Sequence, residues 1–166
     1  MLDGALEHKD SIGTGSVIRY GDVQRMSAGT GVRHSEFNHS NTEGVHFLQI
    51  WIIPSEQGVA PSYEEKHFDA ASKQGKLRLI ASKDARDGSV LIHQDASIYA
   101  TILGGSDKVE LPLAAGRLGY VHVIRGGVTV NGQVLKGGDA LKISDEAAIV
   151  LSDAADSEIL VFDLPR

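Results

Sequence analysis

The chain has no cysteine among its 166 residues. Disulfides, thiolate nucleophiles and zinc–thiolate sites are thereby excluded, and this usage fits a reducing cytoplasm. Proline is nearly as scarce, at 4 residues, whereas glycine reaches 19, a pairing that predicts many tight turns between short strands. Lysine and arginine form no cluster, the formal charge is −6 and the pI is near 5.6. A surface that binds nucleic acid by neutralising phosphates is therefore not expected. No apolar run approaches the length of a membrane span, and the opening MLDGALEHKDS has neither the basic nor the apolar region of a signal peptide. The expectation is a cytoplasmic protein with no membrane partner and no direct nucleic-acid partner.

What is present is alternation. Hydrophobic residues make up 42% and charged residues 23%, ordinary values for a globular protein long enough for one domain or two small barrels sharing a core. Apolar and polar residues alternate with period two, and glycine or Asn/Asp-Gly turns interrupt them every 8 to 12 residues, the pattern of an all-β sandwich or barrel. Candidate strands cover residues 2–8, 16–19, 23–27, 45–53, 77–81, 90–94, 98–103, 108–112, 118–124, 128–130, 140–144, 148–151 and 159–164. Residues 62–76, SYEEKHFDAASKQGK, read as a polar linker with one helical turn at most.

An internal repeat emerges when the two ends are compared. YVHVIRGGVTVNGQVLKGGDALKISDE near the C-terminus and LDGALEHKDSIGTGSVIRYGDVQRMSAG at the N-terminus follow the same order of strands and turns. Asp3-Gly4 matches Gly126-Gly127, and Gly21-Asp22 matches Gly138-Asp139. The second copy is preceded by a full strand, so the first is expected to begin in mid-strand.

Within SAGTGVRHSEFNHS, residues 27–40, His34 and Glu36 stand two apart. Positions i and i+2 of a strand share a face, roughly 6–7 Å apart, so both side chains can converge on one ion. An imidazole with a carboxylate suits a divalent transition metal such as iron(II), which usually takes at least three protein ligands. The spacing selects no completing ligand among His8, His39, His46, a partner chain and solvent. A solvated polar loop is the plainer reading of His34 and Glu36 taken alone. His46 reads as a partly buried strand residue, His39 as solvated, His8 as a structural hydrogen-bonding group, and His93 and His122 as ordinary sheet residues. The glycine stretches GTGSVIRYG and GGSDK lack a phosphate-loop pattern and read as hairpin turns.

Gly21, Ser27, Gly29, His34 and Asn38 resemble the second cupin motif, with two extra residues before the histidine. Residues 8–36 are more closely similar to the pirin family, through His8, Asp10, Ser11, Gly13, Ile18, Gly21, Asp22, Val23, Gln24, Met26, Ala28, Gly29, Gly31, His34, Ser35 and Glu36. LQIWIIP, SKDARDGSVLIHQD and the LVFDLP ending extend the resemblance over essentially the whole chain. It implies an all-β bicupin: an incomplete N-terminal barrel over residues 1–61, a linker over 62–76 and a C-terminal barrel over 77–166. It implies a metal held by a His-x-His pair, a later His and a Glu. His34 and Glu36 match the later pair; the closing glycine of the first motif matches Gly4, which would put both other histidines before Met1. Quercetin 2,3-dioxygenases of this family bind a flavonol to the metal through its 3-hydroxyl, a carboxylate takes the proton, and dioxygen attacks the ring. By that analogy His34 is a metal ligand and Glu36 both ligand and catalytic base. The cofactor would be a divalent transition metal, iron first, with nickel, manganese, copper or zinc as alternatives. The activity is expected to be impaired by the missing pair. The alternatives are a non-enzymatic regulator acting through a protein partner, or a product of truncation or of a misassigned start. Loss of opening strands would favour a homodimer or strand-exchanged oligomer.

Overall fold

The computed structural model describes residues 1–166. Its first part holds β1 (Ala5–Asp10), β2 (Gly15–Arg19), β3 (Asp22–Ser27), β4 (His34–Asn38) and β5 (Ser62–His67). Its second part holds β6 (Arg78–Ser82), β7 (Val90–Leu91), β8 (Ser97–Leu103), β9 (Val109–Pro112), β10 (Leu118–Val130), β11 (Gln133–Lys136), β12 (Ala140–Ser144) and β13 (Ala148–Leu164). Between them lies one helical turn, α1 (Ala70–Lys73), capped by Asp69, whose carboxylate accepts from the Ser72 N–H at 2.7 Å. The all-β expectation holds. No helix is long and apolar enough to cross a membrane.

The second part forms one eight-stranded sheet in the order β11-β10-β13-β8-β6-β7, with β12 also on β10 and β9 also on β13. Its central strands are apolar on both faces, so their sequences read as runs such as ILVF at 159–162. Ile159 and Val161 pack with Val121, Val123, Ile143 and Ile149 in the core of the second unit. Leu160 and Phe162 point the other way, toward Ile98, Ala100 and Phe68, with Val23, Leu48 and Ile52 of the first part against them. The two parts thus share a wall. The first part completes the enclosure with two small sheets, β2-β1-β4 and β3-β5, tied where Ser16 Oγ donates to Glu65 Oε2 at 2.6 Å.

The repeat is visible in the backbone. Gly4 (φ 71°) and Gly126 (φ 79°) are both left-handed, and at each a Cβ would run into a backbone carbonyl, that of Gly44 or of Asp156. At the two Gly-Asp turns Asp22 Oδ2 accepts from Arg19 N at 2.7 Å, and Asp139 Oδ2 from Lys136 N at 2.9 Å.

Three expectations need correction. Residues 45–53 alternate like a strand but make only the isolated bridge of His46 to Asp3, because no neighbouring strand offers them N–H and C=O partners. Residues 62–67, expected as linker, form β5, paired antiparallel with β3 from Asp22↔His67 to Ser27↔Ser62; only the single helical turn after it was foreseen. The interval 152–158, read as a break, is carried through within β13 by left-handed Asp153 and Asp156 and by register shifts against β10.

Ile159 is wholly buried in the shared wall. Ile159→Ala is expected to cost about 2–5 kcal/mol, read as a lower urea midpoint at unchanged slope.

Candidate metal centre

β1 runs between β2 and β4, and its register sets His8 opposite Glu36 and Asp10 opposite His34. Alternation turns Leu6 and His8 inward while Glu7 and Lys9 face out. On β4 His34 and Glu36 share a side, and both border a cleft of about 640 Å³. His8 Nδ1 lies 3.5 Å from Glu36 Oε1, and His34 Nδ1 lies 4.0 Å from the same oxygen. One nitrogen or oxygen from each of the three falls within 4.8 Å of the others. The His8 side chain is fully enclosed, Glu36 is 18% exposed and His34 32%. Two imidazoles and a carboxylate facing one point are a donor set that fits a divalent transition metal.

The groups behind them fix their orientation. Gln24 of β3 directs Nε2 at both Glu36 Oε1 and His8 Nδ1, at 3.2 Å each. His8 Nε2 donates to Asp10 Oδ2 at 3.1 Å, while Asp10 Oδ1 accepts from the N–H groups of Ile12 and Thr14 at 3.0 and 2.9 Å. Burial works against the Asp10 charge, but the Thr14 N–H, the His8 ring and the Ile12 N–H outweigh it and hold its carboxyl below the usual aspartate range. Tyr63 of β5 lies against the His8 ring, 4.9 Å between centroids. Its phenol is pushed well above the ordinary value by burial and by its hydrogen bond to Glu65, so it stays protonated.

β5 also fastens this arrangement to the second unit through Glu64. Glu64 Oε2 accepts from Leu91 N at 2.8 Å and from Arg25 at 3.2 Å, and Oε1 pairs with Lys66 at 2.9 Å. Burial opposes the Glu64 charge, but Lys66, the Leu91 N–H and Arg25 outweigh it and hold its carboxyl below the usual glutamate range.

The remaining histidines stand apart from the cluster. His39 pairs with Glu7 at 2.9 Å on the outer face of the sheet, solvated as expected. His46, expected to be partly buried, is exposed and 3.6 Å from Asp3, since the strand that would have buried it does not form. His67, which no motif marks, pairs with Asp22 at 2.6 Å. His93 and His122 lie in the second unit without a companion ligand. Sequence reasoning gave His8 its hydrogen-bonding role but missed its nearness to Glu36, and it missed Gln24 and Tyr63 altogether. Those neighbours meet across strands, where only the register brings them together.

The cleft is lined mostly by apolar side chains, among them Phe68, Ile80, Ile98 and Leu160 from the shared wall. At its other side sit the buried pair Lys73 and Glu158, 3.8 Å apart. A metal-ligand set beside a mostly apolar cleft on an all-β frame defines a cupin-type protein, and comparison with known proteins agrees. The family model Pirin matches residues 1–52, and the model for the quercetinase C-terminal cupin domain matches residues 79–164. A quercetin 2,3-dioxygenase of Escherichia coli K12 is 47% identical over 165 residues, which are 99% of this chain and 70% of that protein. A putative quercetin 2,3-dioxygenase of Pasteurella multocida is 38% identical over 166 residues, again 99% of this chain and 70% of that protein. The crystal structure of YhhW from E. coli superposes with a TM-score of 0.93 at 45% identity, covering 98% of this chain and 68% of that one. The bacterial pirin YhhW in complex with nickel(II) gives 0.92 at 45% identity, covering 98% and 69%. The chain belongs to the pirin family.

Because the folded-state pKa of Glu64 is depressed, its contribution to stability is full above the unfolded glutamate value, about 4.3, and is lost as pH falls through the folded value. Melting curves between pH 7 and pH 3 should therefore fall more shallowly at the acid end for Glu64→Gln than for the unaltered chain.

Proposed function

We propose that this pirin holds a divalent transition metal through His34 and Glu36 and acts on a flavonol-like aromatic in the manner of the quercetin 2,3-dioxygenases. The observation that supports it most directly is the placing of both ligand side chains on one face of β4, bordering a mostly apolar cleft. Iron suits the donor set, and nickel is supported by the nickel(II) complex of the related YhhW. When bound, the metal supplies Lewis acidity toward the flavonol oxygen and a template for the ring. Phe68, Ile80, Ile98 and Leu160 hold the aromatic skeleton and exclude water. Gln24 engages Glu36 Oε1, which leaves Oε2 to accept the proton of the 3-hydroxyl. Tyr63 and Asp10 keep the His8 side of the site fixed while this occurs.

The sequence carries no two histidines spaced two apart, so this reading gives the chain only His34 and Glu36 of the set the family resemblance implies. Its turnover is accordingly expected to lie below that of a pirin with the His-x-His pair. The second reading, a non-enzymatic protein acting through a protein partner, is supported by the exposed apolar side chains Trp51 (89%) and Ile53 (84%). Those residues lie on the unpaired segment 45–53, which invites pairing with a second copy of the chain.

The enzyme reading predicts loss of quercetin absorbance under air that depends on added iron(II), nickel(II) or manganese(II). Glu36→Gln should slow it by about 10²–10⁴-fold, and His34→Ala should remove the metal dependence. No metal-dependent loss in the unaltered chain overturns the dioxygenase reading and leaves the partner-binding one. Light scattering at micromolar concentration should give twice the monomer mass for the unaltered chain and a smaller value for Trp51→Lys; a monomer in both would exclude self-association through this segment.

A further inference from the structure

We propose that His8 is itself a metal ligand in this chain, closing a triad of His8 Nδ1, His34 Nδ1 and Glu36 Oε1. The inference rests on the metal reading of His34 and Glu36 and assigns the third position, which the sequence left open between several histidines.

Geometry separates His8 from its rivals. His39 and His46 are tied to Glu7 and Asp3 outside the cluster. His8 is the residue directly opposite Glu36 in the β1–β4 ladder, with Nδ1 3.5 Å from Glu36 Oε1. Bonds of about 2.1 Å to one ion put neighbouring ligand atoms roughly 3.0–3.4 Å apart in octahedral or tetrahedral geometry. The observed 3.5 and 4.0 Å therefore close onto an ion by small side-chain rotations, without strand movement.

The protonation pattern around the ring points the same way. A carboxylate can only accept, so Asp10 Oδ2 places the imidazole proton on Nε2 and leaves the Nδ1 lone pair directed at Glu36. A metal-bound histidine almost always donates its other N–H to a carboxylate or carbonyl in this way, which fixes tautomer and ring plane and strengthens the ligand. Asp10 is held for that task by the Ile12 and Thr14 N–H groups on its other oxygen. The donor at the focal point is the Gln24 amide, 3.2 Å from both His8 Nδ1 and Glu36 Oε1; it engages the two electron pairs that a cation would take. Two neutral imidazoles and one carboxylate with open positions form the facial arrangement used by non-haem iron(II), leaving room for a bidentate oxygen ligand. The second unit shows no counterpart. Counted from the matched glycines Gly4 and Gly126, His8 corresponds to Val130, whose partner on β13 is Leu151, and both are fully buried apolar residues.

The test uses the full, tag-free chain with cobalt(II) and copper(II) as probes. Calorimetric titration should give one cobalt(II) per chain, and pulsed EPR of the copper(II)-loaded protein should count two directly bound imidazoles. His8→Ala and His34→Ala should each leave one. Asp10→Asn offers an N–H to His8 Nε2, which moves the ring proton to Nδ1 and removes the ligand lone pair; it should weaken cobalt(II) binding about 10–100-fold. Where far-UV circular dichroism shows that His8→Ala does not fold, the imidazole count of the unaltered chain and the Asp10→Asn affinity decide. One imidazole in the unaltered chain, with cobalt(II) binding lost in Glu36→Gln but unchanged in Asp10→Asn, overturns the role of His8 and leaves the metal reading intact. Two imidazoles that both persist in His8→Ala overturn it likewise. No cobalt(II) binding at all overturns both.

Discussion

Because successive residues of β13 point to opposite sides, Ile159 and Val161 must be covered by one body and Leu160 and Phe162 by another. The architecture follows from that requirement. β9, β12 and the rest of the eight-stranded sheet cover the first pair, while Phe68 and segments of the N-terminal part approach the second. Leaving either face to water would expose side chains each contributing roughly 1.5–3 kcal/mol by burial. The wall therefore places the N-terminal strands where they are, and the cleft is the space between the two.

On the other side of that space, the site depends on polar groups held without slack. His8 faces Glu36 because antiparallel register puts them there, and its ring is fixed by Asp10, Gln24 and Tyr63 from three directions. In a poorly solvated setting such contacts are stronger than in water, and a missing partner is correspondingly costly. The inward polar groups of the first unit occur as a mutually satisfied set for that reason.

The sequence displayed much of this. Period-two alternation located most strands, the Gly-Asp turns revealed the duplicated unit, and the pairing of His34 with Glu36 on one face followed from spacing alone. What stayed hidden depended on partners distant in the chain. Residues 45–53 alternate like a strand, yet a ladder needs a neighbour and none is there. SYEEKH looked like a linker because its polar residues are satisfied across sheets, Glu65 by Ser16 and Glu64 by Arg25 and Leu91. His8 resembled a turn-stabilising group because its hydrogen bond to Asp10 is local, while its approach to Glu36 exists only after β1 and β4 have met. The bulged passage of β13 through Asp153 and Asp156 reads as a break because left-handed aspartates usually mark turns.

The two copies of the repeat differ in what their inward faces contain. Where one has His8 across from Glu36, the other has Val130 across from Leu151, and this single exchange separates their stabilities. The second copy closes on a dry, contiguous core; in the first, few apolar residues beyond Leu2, Leu6 and Ile18 are fully withdrawn from solvent. Local opening therefore costs less free energy in the first copy than in the second. Ligand entry can then proceed by brief separation of the small sheets from a wall that stays folded, so the inert copy sets the durability of the molecule and the polar copy sets its rate of exchange with solvent.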